Sequence, residues 1–282
     1  MSILPYIISA FADELGPDVD LQVSTLKRMG VQEIQLRGAW GVNVMALTVS
    51  QLADIRGRAE DAGLGFHAIG SPLGKVNIGT AESESLQGVR TAAAAAHAVG
   101  AGRVRVFSFY RSPVQSAEEV RQQVIDRLSR MCDVAEEEGV RLIHENEKDI
   151  YGDTAARCLD LFENVPSLGC CFDFANFVQV GEKPWDDCWP LLKDRVVYFD
   201  VKDAVAATGE VKPAGMGDGD VERIIADALA RGFDDRFNLE PHLSAGGQFG
   251  GSTAPDLFEV AVNSLRDVLR RASPNDASGN GA

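Results

Sequence analysis

The sequence has few of the residues that mark several classes of protein. Only four of its 282 residues are histidine, and 27 basic residues face 42 acidic ones, so the formal net charge is −15. This negative charge repels phosphate backbones and anionic membrane surfaces. We therefore expect neither nucleic acid nor a membrane as a partner.

The cysteines do not indicate a disulfide framework. There are five of them, an odd number, no C-x-x-C occurs, and Cys170 and Cys171 are adjacent. This pattern is typical of a reduced protein in which cysteines act as small apolar residues, and it predicts a cytoplasmic location.

Targeting and membrane-spanning patterns are also lacking. The apolar stretch LPYIISAF near the N-terminus has no basic region before it and no small-residue cleavage site after it, so we interpret it as a strand. No run approaches the ~18 apolar residues that a membrane span needs.

Short apolar runs recur at a steady interval and alternate with helical patterns. Eight of them are predicted strands, and they begin at Pro5, Val31, Gly65, Arg103, Val140, Leu168, Arg195 and Arg236. Helix start signals lie between them, including the capping-box pairs Thr48 with Gln51 and Ser116 with Glu119.

Eight alternating strands and helices predict an α/β protein with a closed (β/α)8 TIM barrel. An open doubly wound sheet is the alternative, but the first strand is followed by FADELGP and not by a G-x-G-x-x-G turn. We expect a single catalytic barrel domain over residues 1–271. The small, polar segment 272–282 is predicted to be a flexible C-terminal tail.

Acidic residues end four consecutive predicted strands. Glu145, Asp173, Asp200 and Glu240 each follow an apolar run, and in a barrel the carboxyl ends of the strands carry the active site. Converging buried carboxylates are costly unless a cation neutralises them. Oxygen ligands favour a hard divalent metal, so Mn²⁺ or Mg²⁺ is the predicted cofactor. The alternative for any one acid is a helix cap or an ordinary ion pair.

Several segments resemble the xylose isomerase-like sugar (phosphate) isomerases and epimerases, near the ketose 3-epimerases and the 3-keto-glycoside epimerases. The resemblance covers nearly the whole chain. Its most specific segments are HENEK, IYGD and FDFANFVQVGE, and SAFADE, VKDA and LEPHL add to it.

The resemblance implies a divalent metal held by residues from strands five to eight, here Glu145, Asp173, the residue at 200 and Glu240. The usual histidine of the family motif falls on Asp200, because H-[IV]-K-D-A reads D-V-K-D-A in this chain. We expect Asp200 to be a replacement ligand. An all-carboxylate site is harder and favours Mn²⁺ or Mg²⁺ over Zn²⁺.

Glu145 and Glu240 are the predicted catalytic residues. They come from different strands and can flank a substrate, and the resemblance implies the same pairing. The predicted substrate-binding residues share a position near the strand ends, and an ordinary salt bridge or loop role is the alternative for each: Arg37, Lys75, Arg105, Glu147, Lys202 and His242.

The predicted function is that of a metal-dependent sugar epimerase or isomerase, with a small-molecule sugar as partner. It would transfer a proton at a carbon next to a carbonyl through a metal-stabilised enediolate. A lyase that acts on a keto-glycoside with the same site stays open, as does a non-catalytic sugar-binding barrel with an altered metal site. Nucleases of similar barrel plan use several histidines and a basic face, which this chain lacks. A homo-oligomer also stays open.

Overall fold

Eight parallel strands close into a barrel in the computed structural model, which describes residues 6–244 and 251–273. Each strand pairs with its neighbours in the chain, and the last pairs with the first. The strands are β1 (Ile7–Ala10), β2 (Glu33–Leu36), β3 (Gly65–Ile69), β4 (Arg103–Val106), β5 (Arg141–Glu145), β6 (Gly169–Asp173), β7 (Val196–Val201) and β8 (Arg236–Leu239). The predicted (β/α)8 barrel is confirmed.

Helices connect the strands and cover the barrel. They are α1 (Val19–Arg28), α2 (Val49–Ala62), α3 (Glu82–Val99), α4 (Ala117–Glu137), α5 (Ala155–Asn164), α6 (Phe174–Gln179), α7 (Trp189–Leu192), α8 (Val221–Ala230) and α9 (Pro255–Ala272). Both predicted capping boxes are present, at the starts of α2 and α4. They satisfy backbone N–H groups that would otherwise lack partners.

The outer faces of the strands form an apolar layer with the helices. Alanines of α3 are fully buried there, which lets this helix approach the sheet closely. Phe172, Phe199 and Phe237, from β6, β7 and β8, form a cluster in which the last two rings stack 5.4 Å apart. The five cysteines are free and buried.

The connections at the carboxyl ends of the strands contain additional short elements. Gly38–Ala39 pairs with Val42–Asn43 after β2, and Asp203–Ala204 pairs with Val211–Lys212 after β7. A 3-10 turn, Ala12–Leu15, follows β1 directly. These elements build the rim around the end of the barrel where the predicted site lies.

Helix α9 extends to Ala272, one residue past the expected domain boundary, and residues 274–282 of the predicted tail lie outside the described residues. Pro5, the expected start of the first strand, also lies outside them. Within residues 6–244 and 251–273, no helix is long and apolar enough to cross a membrane.

His67 is a titratable group inside this core. Its ring packs edge-on against Tyr198 with centroids 5.1 Å apart, and its residue is 5% exposed. Burial, aided by the positive charge of Arg103, lowers the pKa of His67 to about 3. Below pH 6.5 the unfolded chain therefore takes up a proton that the folded protein does not, so His67 makes stability fall as pH drops toward 3.

His67→Phe should remove this part of the acid sensitivity. Between pH 6 and pH 4, wild type should lose stability relative to the variant by about 1.4 kcal/mol per pH unit, the linkage value for one proton. Urea unfolding at each pH measures this difference in slope. His97→Phe, at an exposed histidine, controls for the loss of one imidazole. Parallel pH profiles for wild type and His67→Phe would contradict the assignment.

Candidate functional site

The ends of β5 to β8 bring the predicted acids together at one end of the barrel. Glu145, Asp173, Asp200 and Glu240 are between 0% and 3% exposed. Oxygen atoms of Glu145, Asp173 and Glu240 lie within 4.8 Å of one another. Three of the four predicted metal ligands therefore converge, and Asp200 does not belong to that group.

Two cations enter the cluster from the barrel itself. The Lys202 ammonium donates to Asp173 Oδ2 and, at 2.5 Å, to Glu240 Oε2. The Arg105 guanidinium lies 3.0 Å from Glu145 Oε2 and 3.8 Å from Glu240 Oε1. Because both cations are almost fully buried, these pairs offset part of the desolvation cost of the acids.

Asp200 is held on the β8 side by a chain of side-chain hydrogen bonds. Asn238 donates to Asp200 Oδ1 at 2.6 Å, and Ser9 donates to Asn238 Oδ1 at 2.6 Å. The other oxygen, Asp200 Oδ2, is 4.0 Å from Arg105 and has no hydrogen-bond partner among the described residues. A role for Asp200 as a metal ligand stays a prediction.

Burial and neighbouring charges shift the pKa values of these carboxylates in different directions. Burial, reinforced by Glu145 and Glu240, raises the pKa of Asp200 well above its usual range. Burial raises the pKa of Asp173 to about 7 against the opposing charge of Lys202. Burial also acts upward on Glu240, but Lys202 and His242 outweigh it and hold its pKa well below the ordinary value. Burial and like charges thus shift the pKa of Asp200 upward, whereas neighbouring cations shift the pKa of Glu240 downward.

A second acidic group, not predicted from the sequence, borders the first. Asp13 and Glu14, in the turn after β1, face Arg37, whose Nε donates to Asp13 Oδ2 at 2.9 Å and whose Nη1 donates to Glu240 Oε1 at 3.2 Å. His242 Nε2 lies 3.4 Å from both Glu14 Oε1 and Glu240 Oε1. The signal for this group was the position of FADEL directly after the first strand.

A cavity of about 300 Å³ adjoins the carboxylate cluster at Glu240. Its lining includes Glu240 and all six predicted substrate-binding residues, which are Arg37, Lys75, Arg105, Glu147, Lys202 and His242. Their contacts with a substrate stay predictions, but the structure gathers them around one space.

Several cavity residues are held in place by neighbours. Lys75 donates to Glu147 at 2.8 Å and lies 4.3 Å from the centre of the Phe107 ring. Arg105 stacks over the rings of Phe11 and Phe107, 4.9 Å from each centre. Burial would raise the pKa of Glu147, but Lys75 and Lys148 lower it to about 2. These contacts fix the orientation of the charged groups that face the cavity.

The glycine-rich segment GMGDGD after β7 is a turn wound around a protein carboxylate. Asp203 accepts hydrogen bonds from the backbone N–H groups of Ala204, Gly217 and Gly219. A side chain at Gly217 or Gly219 would collide with Asp203, with Cβ atoms 2.6 Å from its Oδ1. The N–H groups of both glycines are thus bound to a side chain of the protein itself. A second glycine-rich segment, SAGGQFGG, lies mostly outside the described residues.

The converging carboxylates fit a divalent cation in their chemistry. All donors are carboxylate oxygens, as hard ions prefer. Glu145 Oε2 is buried 3.0 Å from the Arg105 guanidinium and has no hydrogen-bond partner in the part of the chain that the structure describes. Lys202 is the complication, because its ammonium already contacts two of the three carboxylates.

The comparison with protein families agrees with this architecture. The profile of a family described as "Xylose isomerase-like TIM barrel" matches residues 23–268. No curated protein matches the chain in sequence.

Solved structures share the fold at low sequence identity. A xylose isomerase-like TIM barrel protein from Mycobacterium smegmatis, in complex with magnesium, has a TM-score of 0.69 at 18% identity, with 95% of this chain and 97% of that chain covered. The IOLI protein with a zinc atom has a TM-score of 0.76 at 15% identity, with 95% and 100% covered. D-psicose 3-epimerase from Clostridium cellulolyticum H10, with D-tagatose, has a TM-score of 0.73 at 12% identity, with 95% and 100% covered.

Arg105→Met tests the neutralisation of the cluster. The variant leaves Glu145 buried beside other acids without its guanidinium partner, so the free energy of unfolding in metal-free buffer should fall by about 3–5 kcal/mol. Arg90→Met is the matched control, because Arg90 is 44% exposed and forms a long, exposed ion pair with Glu138 at 3.8 Å. This substitution should lower the free energy of unfolding by less than about 1 kcal/mol. Chemical denaturation measures both. Equal losses would show that Arg105 does not neutralise the cluster.

Proposed function

This chain belongs to the xylose isomerase-like TIM barrel family, and from that premise we propose that it is a divalent-metal-dependent sugar epimerase or isomerase. The observation that carries the proposal is the convergence of Glu145, Asp173 and Glu240 within 4.8 Å, beside a cavity lined by polar and charged side chains. Among its structural neighbours, D-psicose 3-epimerase and two metal-containing proteins support the same interpretation.

Glu145, Asp173 and Glu240 are the residues that would hold the ion, and Asp200 is the proposed fourth ligand once its side chain leaves Asn238. Mn²⁺ or Mg²⁺ is favoured, since the donors are carboxylates. A bound ion supplies a Lewis acid that polarises the substrate carbonyl and thereby acidifies the adjacent C–H bond.

Glu145 and Glu240 exchange protons with the substrate in this proposal. They come from β5 and β8, which lie on different sides of the cluster, so their carboxylates can face opposite sides of a substrate carbon. Asn176 Nδ2 donates to Glu145 Oε1 at 3.3 Å and orients that carboxylate. Lys202 and Arg37 orient Glu240 from two directions.

The substrate class is a small keto-sugar. Arg37, Lys75 and Arg105 line the cavity and carry N–H groups, the kind of donor that binds carbonyl and hydroxyl oxygens. The cavity of about 300 Å³ is at the small end of the range for ligand sites, roughly 300–1,000 Å³. A single sugar ring fits this volume better than a long glycoside.

Proton exchange in D₂O tests the reaction class. Protein loaded with Mn²⁺ should catalyse the incorporation of deuterium into a keto-hexose or 3-keto-glucoside, at the carbon next to the carbonyl. Apart from this exchange, the substrate and its epimeric or isomeric product should have the same mass. NMR measures the incorporation, and chelation by EDTA should abolish it. Release of an aglycone would instead identify a lyase, while absence of exchange across a panel of keto-sugars would contradict the proposal.

Removing either proton-transfer group should stop turnover. Glu145→Gln and Glu240→Gln should each lower kcat by at least about 10²-fold, the usual contribution of a positioned acid or base. Near-UV circular dichroism checks that the fold is intact. Glu210→Gln, at an exposed residue paired with Lys212, is the matched control with wild-type turnover. Retained activity in either site variant would exclude that residue from proton transfer.

A further inference from the structure

The Lys202 ammonium contacts carboxylates that are proposed to hold the ion. It hydrogen-bonds Asp173 and Glu240, two of the three converging carboxylates, and the residue is only 4% exposed. Lys202 follows the last residue of β7, the strand between β6 and β8. Its side chain therefore bridges the acids of the two flanking strands.

The backbone after Lys202 is fixed, so the lysine is aimed into the cluster by the fold. Asp203 accepts three backbone N–H groups, from Ala204, Gly217 and Gly219, and is fully buried. The backbone of Asp203 also lies opposite that of Lys212 in the short antiparallel hairpin. The lysine thus belongs to a rigid turn and does not lie in an open loop.

The chain at the end of β7 contributes the positive charge of Lys202 to the described cluster, whereas Asp200 is not one of the three converging carboxylates. Asp200 is directed toward Asn238, and its oxygens are not among those that converge on Asp173 and Glu240. Lys202, two residues later and on the same face of the chain, fills the space between these carboxylates.

We propose that Lys202 is an internal counter-ion that competes with the divalent ion for Asp173 and Glu240. Without metal, the ammonium neutralises the buried acids and keeps the cluster closed. When metal binds, the ammonium leaves these two carboxylates and faces the cavity, where it can donate to a substrate hydroxyl. This inference rests on the proposed metal site.

Competition has a thermodynamic consequence. A metal that must displace a bound counter-ion binds more weakly than it would bind to the same carboxylates without the counter-ion. Its apparent affinity falls in proportion to the fraction of protein in which Lys202 does not occupy the carboxylates. Lys202 therefore lowers metal affinity and stabilises the metal-free fold. We therefore expect the bound metal to exchange readily and to occupy the site only when the concentration of free metal is high enough.

Titration of the metal-free full-length protein with MnCl₂ in a calorimeter tests the inference. Lys202→Met should bind Mn²⁺ at least about tenfold more tightly than wild type. Lys148→Met is the matched control, because Lys148 lines the same cavity but contacts Gln179 and Glu147. Its affinity should stay within about twofold of wild type.

A second variant and a second readout protect the test against misfolding. Lys202→Gln removes the charge but keeps a hydrogen-bond donor, and it should also bind Mn²⁺ more tightly than wild type. In thermal unfolding, saturating Mn²⁺ should raise the Tm of either variant more than that of wild type, because their metal-free forms lack the counter-ion. Equal or weaker Mn²⁺ binding by both variants would overturn the inference.

The outcomes separate this inference from the proposed function. Tighter Mn²⁺ binding by the variants, together with no exchange on any keto-sugar by wild type, would support the counter-ion and reject the epimerase or isomerase. Unchanged affinity in the variants, together with Mn²⁺-dependent exchange by wild type, would reject the counter-ion and leave the enzymatic proposal standing.

Discussion

The structure depends on the neutralisation of carboxylates that a closed parallel barrel brings to one end. An acid lies at or next to the end of four strands in succession, and the barrel closure places these acids in a buried, narrow space. Like charges at such distances cannot all remain ionised without cations. Arg37, Arg105 and Lys202 are placed to meet that need, and their own positions are fixed by aromatic rings and buried turns.

Much of the fold followed from periodicity, and the first part of the site followed from the fold. The spacing of the apolar runs predicted eight strands, and the acid at or next to the end of each of β5 to β8 predicted the acids of the rim. Local signals also sufficed for the capping boxes of α2 and α4. These features depend on residues close in sequence, which is why one sequence was enough.

Other parts of the site depend on side-chain directions that sequence spacing does not define. Asp200 sits on the inward face as expected, yet its carboxylate is oriented by Asn238 and Ser9, which are remote in sequence. Glu14 reaches the site because the turn after β1 folds over the rim and pairs with Thr253. Spacing places Lys202 on the same face of the chain as Asp200, but it does not define which carboxylates the ammonium contacts, because Asp173 and Glu240 come from the adjacent strands.

The turn around Asp203 bears on how this barrel can be re-engineered. Loops at the rim of such barrels are commonly treated as exchangeable parts on a constant scaffold. Here the loop that contains Gly217 and Gly219 also anchors the residue next to Lys202, with no room for a Cβ atom at either glycine. Grafting a foreign loop after β7 would therefore change how the acidic cluster is neutralised as well as the shape of the rim. In this protein that loop and the acidic cluster form one structural unit.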